Sequence, residues 1–205
     1  NPMLEGITLD RLKAEGYAPY TLPSPEWVPF SDGVFRTPSG KMELRCDRLA
    51  ARGLDPLPEW IEPSEFRDAP DGMLTLLTGA PHHFVSTSFA NWDRHERKEG
   101  TPHVEIHPDD AAARGIEDGD EVRVENARGW CRLRAVVTED VRPGVLVSPK
   151  GRWASHSPDG RTVNWTISDA VADLAGQSTF HSNRVWITPV KAGVERAGAA
   201  AAVAD

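Results

Sequence analysis

His107-Pro108-Asp109-Asp110-Ala111-Ala112-Ala113-Arg114-Gly115-Ile116, then Glu117-Asp118-Gly119-Asp120, then Glu121-Val122-Arg123-Val124-Glu125: on this stretch the fold turns. Pro108 suits a first helical position, Asp109 and Asp110 favour the positive end of the helix, and the alanines propagate it. Gly115 stops the helix in the left-handed conformation that a C-terminus often needs. Ile116 is then predicted to plug a core, and Asp118-Gly119-Asp120 to turn tightly into a strand. That strand alternates cleanly, with Val122 and Val124 on one face.

Working outward, the signals are again for short strands. Met73-Leu74-Thr75-Leu76-Leu77 is an apolar run broken at Thr78-Gly79, the pattern of a buried strand. Val104-Glu105-Ile106 alternates. Asn126-Ala127-Arg128-Gly129 reads as a turn, after which Cys131, Leu133, Ala135 and Val137 alternate with Arg132, Arg134 and Val136. Val145-Leu146-Val147 and Val185-Trp186-Ile187 add two more strands. Many short strands split by glycine and proline turns argue for a barrel or sandwich, mainly β with short helices.

Ahead of this region, residues 1–34 read as an irregular connector. Thr8 caps a helix over Leu9–Glu15 that stops at Gly16, and Pro23, Pro25 and Pro29 then interrupt regular structure. Residues 35–71 read as an opening hairpin, turning at Pro38-Ser39-Gly40 and feeding a strand through Met42 and Leu44, then an irregular proline-rich linker. Residues 72–190 form the barrel region. The alanine-rich tail, residues 191–205, reads as disordered.

Composition narrows the classes. Net charge is −8 over 205 residues, with no basic cluster of the kind a nucleic-acid-binding face requires. No apolar run approaches the roughly 18 to 20 residues of a membrane span, so no direct membrane insertion of this segment is expected. Cys46 and Cys131 match no zinc or disulfide spacing; Cys131 is predicted to be a small core residue and Cys46 a free thiol. The sequence begins at Asn1 in the middle of apparent structure and reads as a segment of a longer polypeptide. It has no P-loop, nicotinamide-binding glycine fingerprint, Gly-x-Ser-x-Gly elbow or Cys-x-x-Cys.

The helix–Gly-Ile–Gly-Asp–strand order of residues 107–129 resembles the signature of double-psi β-barrels, the aspartate decarboxylase-like architecture. Three further segments are similar to one family that carries it. Thr37-Pro38-Ser39-Gly40-Lys41 resembles the motif preceding the terminal domain of molybdopterin (DMSO reductase-type) oxidoreductases. Residues 76–91, Leu-Leu-Thr-Gly-Ala-Pro-His-His-Phe-Val-Ser-Thr-Ser-Phe-Ala-Asn, resemble that domain's first-strand loop. Gly151-Arg152-Trp153, Asn164-Trp165-Thr166, Asp169 and Asp173-Leu174 resemble its closing pattern. In order and spacing the likeness runs over about residues 2–190.

That resemblance implies the cofactor-binding terminal domain of an enzyme holding molybdenum or tungsten between two molybdopterin guanine dinucleotides (a bis-pyranopterin centre) and catalysing two-electron redox chemistry. The metal-ligating residue is implied upstream, as is an iron–sulfur cluster where a member has one. No catalytic residue and no metal ligand is therefore assigned to this segment, which alone should show no turnover. Implied partners are upstream domains of the same polypeptide, a small-molecule redox substrate and an electron-transfer subunit. A cytoplasmic setting is expected over a periplasmic one. The alternative is a non-enzymatic double-psi barrel that recognises protein partners, as in the N-domains of some AAA ATPases.

Candidate cofactor-binding residues follow from chemistry and resemblance together. Gly79 lets backbone approach a ligand, and the hydroxyls of Thr78, Ser86, Thr87 and Ser88 can bond pterin heteroatoms or phosphate oxygens. Asn91 and Asn164 each offer donor and acceptor on one amide, matching the mixed edge of a pterin. Trp153 covers the ligand or fills the barrel end. His82 and His83 are adjacent on an apparently extended segment, which puts them on opposite faces; one is expected to face the pterin, and a shared metal is disfavoured. His95, His103 and His107 are read as surface residues in or beside a charged loop. Lys41 and Arg152 are read as solvated charges before phosphate ligands, and Asp169 with Asp173 as one face of a capped surface helix over residues 166–174.

Overall fold

The computed structural model describes residues 1–57, 59–173 and 176–190. The chain divides into two compact units, Asn1–Glu59 and a second that begins at Trp60.

In the first unit, α1 (Leu9–Glu15) forms as its caps dictate. The Thr8 hydroxyl accepts from Arg11 N at 3.1 Å, and Gly16 closes the helix at φ +79°. The turn at Pro38-Ser39-Gly40 is present, with Gly40 N donating to Thr37 O at 3.0 Å. The strand expected after it is not: residues 41–46 run through bends, because the unit's described residues hold no sheet for Met42 and Leu44 to join and both are left exposed. A single turn, α2 (Asp47–Ala50), follows.

The second unit opens with a short helix, α3 (Ser64–Arg67), inside a stretch that proline content had marked irregular. Six strands then close into a barrel: β1 (Leu74–Leu77), β2 (His103–Ile106), β3 (Glu121–Glu125), β4 (Trp130–Val137), β5 (Val145–Val147) and β6 (Asn183–Pro189). Their order around the ring is β1-β5-β2-β4-β3-β6, closing back on β1. β1 runs parallel to β5 and β2 parallel to β4, while the other four pairings are antiparallel. This crossed, closed six-stranded arrangement is the double-psi β-barrel. Closure leaves no free strand edge within the ring.

Alternation drives the closure. Leu76, Val104, Ile106, Val122, Val124, Cys131, Leu146 and Val185 fill the interior at 0% exposure. Each is worth on the order of 1.5–3 kcal/mol of apolar transfer. Register places Arg123 directly opposite Arg132, a like-charge pair that would repel. Arg123 pairs with Glu125 at 2.7 Å and lies over the Trp130 ring, while Arg132 reaches Asp159 at 3.2 Å, so both charges are compensated.

The strand directions sort the connections onto two rims. One rim gathers α5 (Pro108–Ala112) and the turn at Asp118-Gly119-Asp120. Here Gly115 (φ +62°) ends α5, and Ile116 N bonds Ala111 O at 3.0 Å, the six-residue closure of a Schellman turn. Ile116 is buried against the core, and Asp110 ties the helix to the barrel by accepting from Gly144 N at 2.6 Å. Parallel pairing brings the C-terminal ends of β1 and β5, the N-terminal ends of β2, β4 and β6, and the C-terminal end of β3 to the opposite rim.

Candidate functional site

That opposite rim carries the loops in which the candidate residues lie. Thr78 follows β1 directly and is buried, and Gly79 beside it is exposed; Lys150 N donates to Gly79 O at 2.9 Å, joining the exits of β1 and β5. From Ala80 the chain leaves the barrel in a loop that ends in α4 (Asp93–Glu99). Ser86 and Phe89 adopt positive φ within it (+50° and +67°). A Cβ on Gly151 (φ +89°) would lie 3.0 Å from Ser86 Cα, so the backbone after β5 passes against the loop as only glycine allows.

The segment 161–166 is fastened to the same rim from the other side. A Cβ on Gly129 would stand 2.5 Å from the Trp165 carbonyl oxygen, so the β3–β4 turn is in direct backbone approach to it. The Arg161 guanidinium lies 4.4 Å from the Trp130 ring centroid and 4.8 Å from that of Trp165. Beneath them sits a polar lock that sequence reasoning missed. Buried Asn183, at the start of β6, accepts from Asn126 Nδ2 (3.1 Å) and Arg128 Nη2 (3.0 Å) and donates to Thr166 Oγ1 (2.8 Å). The Thr166 carbonyl takes further bonds from Asn126 Nδ2 and Arg128 Nε, both at 2.8 Å, and Arg128 makes a bidentate pair with Glu65 of α3 at 2.7 and 3.2 Å. The only sequence signal for this lock is Asn126, which as a turn residue had a sufficient local explanation.

Several expectations change. His82 and His83 do not lie on opposite faces: the chain bends there and their rings meet edge to face at 4.8 Å. His82 is exposed; His83 is half-buried. The charged stretch holding His95 is the helix α4 rather than a loop, and the ring's Nδ1 donates to His83 O at 2.6 Å. His103 opens β2, and His107 caps α5 by accepting from Asp109 N at 3.2 Å. Arg152 is not solvated: its side chain is 12% exposed and pairs with Glu96 at 3.1 Å. Residues 167–173 are not a helix. A 3-10 turn over Val163–Thr166 is followed by extended Ile167, because Thr166 turns inward to bond Val163 O instead of capping outward; Leu174 lies outside the described residues.

Between the two loops a small recess is lined by Phe84, His103, Lys150, Arg152, Arg161 and Thr162. A second, open cleft is bordered by Arg128, Asn164, Trp165, Ile167 and Asp169. The candidate side chains differ from the lock around Asn183 in one respect. Among the described residues, those of Ser86, Thr87, Ser88, Asn91, Trp153 and Asn164 take part in no hydrogen bond, ion pair or ring contact, and all six are exposed. The rim thus combines the hydrogen-bonded lock around Asn183 with an outer set of free hydroxyls, amides and an indole. Such a set suits a large, polar, partly planar ligand carrying phosphate. Also among the described residues, no three His, Cys, Asp or Glu side chains approach closely enough to hold a metal ion.

Residues 74–184 match the family described as "Molydopterin dinucleotide binding domain". The chain is 35% identical over 190 residues to the probable oxidoreductase YoaE of Bacillus subtilis, covering 93% of this chain and 27% of that protein. It is 41% identical over 125 residues to biotin sulfoxide reductase of Cereibacter sphaeroides, covering 57% of this chain and 16% of that protein. Among solved structures, acetylene hydratase from Pelobacter acetylenicus superposes with a TM-score of 0.69 at 22% identity, covering 86% of this chain and 27% of that one. The chain therefore spans about a quarter or less of the length of these three proteins.

Proposed function

We propose, on the premise that this chain belongs to the molydopterin dinucleotide-binding domain family, that the rim bearing Thr78, Gly79 and Asn164 clamps a molybdopterin dinucleotide inside a larger two-electron oxidoreductase. The family match favours this reading over a barrel that only recognises protein partners. The observation that carries it is the outer set of exposed, unbonded polar side chains gathered on one rim beside the bonded lock around Asn183.

The donor set fits that group. Exposed Gly79, with open space where a Cβ would stand, offers close approach for a flat ring or a diphosphate. Ser86, Thr87 and Ser88 supply hydroxyls that donate or accept as the ligand requires. Asn91 and Asn164 present paired donor and acceptor, Trp153 an apolar face, and His82 with the half-buried His83 a second polar edge. Buried Thr78 anchors the loop at its root. When bound, the group supplies a two-electron redox centre at molybdenum or tungsten; the residues here bind it, orient it and keep water from its flanks. The metal ligand, any iron–sulfur cluster and the substrate funnel belong to other parts of the polypeptide. An electron-transfer subunit and a cytoplasmic setting complete the proposal.

The test uses the complete polypeptide. Purified, denatured and oxidised, it should release a fluorescent pterin and contain about one molybdenum or tungsten per chain. A protein lacking both, yet fully active in reducing or oxidising a small substrate, would refute the assignment.

A further inference from the structure

We infer that α4 is a clasp and that Glu96 is a positioning residue, holding both ligand-facing loops of the rim in one arrangement. The inference rests on the proposed function for its consequence, though not for its geometry. Glu96 Oε1 receives two cationic or polar partners from the segment after β5: Arg152 Nη1 at 3.1 Å and His156 Nδ1 at 3.0 Å. Arg152 Nη2 also donates to Gly100 O at 2.6 Å, just beyond the end of α4. On its other side α4 grips His83 by both main-chain groups: Glu99 Oε2 accepts from His83 N at 3.0 Å, and His95 Nδ1 donates to His83 O at 2.6 Å.

The two loops share no ladder pairing, yet they meet where Gly151 passes Ser86. Beside the single Lys150 N–Gly79 O bond at the loop roots, α4 supplies the side-chain ties that fix that meeting. The helix is seven residues long, and its N-cap, Trp92, makes no side-chain capping bond. A helix this short does not persist alone, so the loops hold α4 as much as α4 holds the loops. Loss of Glu96 leaves the mostly buried Arg152 without its carboxylate and frees the Trp153 segment. It also removes the main tie that keeps α4, and with it His83 and the 86–91 loop, in place. Linkage then requires the reverse coupling: a ligand that needs both loops ordered must also order α4.

The experiment uses the complete polypeptide as purified, with Glu96→Ala, Glu96→Gln and the milder His156→Ala, and Glu139→Ala as a surface control. Arg94, Arg97 and Lys98 are exposed on α4, so brief trypsin treatment with mass-spectrometric mapping reads its opening directly. Molybdopterin retention after gel filtration is measured in parallel, and hydrogen exchange in β3 and β4 reports whether the barrel is intact. The expected result is on the order of tenfold faster cleavage at those three sites in E96A, faster loss of pterin and unchanged barrel exchange. E96Q should recover part of both effects because its amide oxygen still accepts from Arg152, and H156A should show a smaller shift. Wild-type cleavage in E96A, or faster cleavage with undiminished pterin retention, overturns the inference. If E96A does not fold, H156A and E96Q decide by the same two readouts. A wild-type protein that is fully active without pterin or metal refutes the proposed function instead, and trypsin mapping of that protein still decides the clasp.

Discussion

Replacing Asn183 with alanine should destabilise the barrel by about 3 kcal/mol, with almost no change in apolar burial. The side chain is 2% exposed and makes three hydrogen bonds: from Asn126 Nδ2, from the Arg128 guanidinium and to Thr166 Oγ1. The two neutral bonds are worth about 1 kcal/mol each and the charge-assisted one about 1.5. The total falls at the lower end because neither donor is stranded. Asn126 keeps its bonds to the Thr166 and Arg184 carbonyls, and Arg128 keeps Glu65 and Thr166 O. With a urea m-value of about 2 kcal/mol/M, the unfolding midpoint of the 205-residue chain should fall by about 1.5 M at unchanged slope. Asn164→Ala is the matched control: it removes an exposed, unbonded amide and should shift stability by less than about 0.5 kcal/mol. A fall of under about 0.5 M for N183A, or an equal fall for N164A, would show that the lock is not what braces the rim.

Gly129→Ala places a methyl 2.5 Å from the Trp165 carbonyl oxygen, so the β3–β4 turn and the 161–166 segment must separate; a cost of about 1–3 kcal/mol is expected, read as a lower melting temperature and weaker Arg161–indole packing by near-ultraviolet circular dichroism. Leu76→Ala, at the centre of β1, should cost about 2–5 kcal/mol in urea titration, since its site has no exposure and a ring of strands that cannot collapse. Burial pushes the Cys131 thiol up from an ordinary 9.0 to about 12. The unfolded thiol ionises above the lower value while the native one keeps its proton, so stability should fall as pH rises between the two, by up to about 1.4 kcal/mol per unit. Comparison of wild type with Cys131→Ala isolates that slope, and parallel curves for the two would contradict it.

All six strands were legible because the interior takes alternate residues and the sequence alternates with it: Val122 and Val124, then Cys131, Leu133 and Ala135, needed no further information. Cap chemistry gave both ends of α1 and the Gly115 stop for the same local reason. Other features depend on partners distant in sequence. α4 has a polar, charged face and no capping residue, so nothing within Asp93–Glu99 reveals that Glu96 and Glu99 would find Arg152, His156 and the His83 backbone. The Asn126–Asn183 pair spans 57 positions, beyond any spacing rule. The hairpin expected after Pro38-Ser39-Gly40 failed in the opposite sense: turn chemistry was right, but a strand needs a neighbour and none is offered.

β6 is the last strand among the described residues, yet it sits between β1 and β3 and closes the ring. During synthesis five strands must therefore wait, with their interior faces unsealed, until Asn183–Pro189 has emerged. The same strand brings Asn183, whose side chain ties Asn126, Arg128 and the Thr166 hydroxyl to β6. Sealing the interior and bracing the rim are thus one event in time, and it comes late. A nascent chain stalled before residue 183 should bind chaperones through its open interior and hold no ligand, so emergence of β6 sets the earliest moment at which loading can begin.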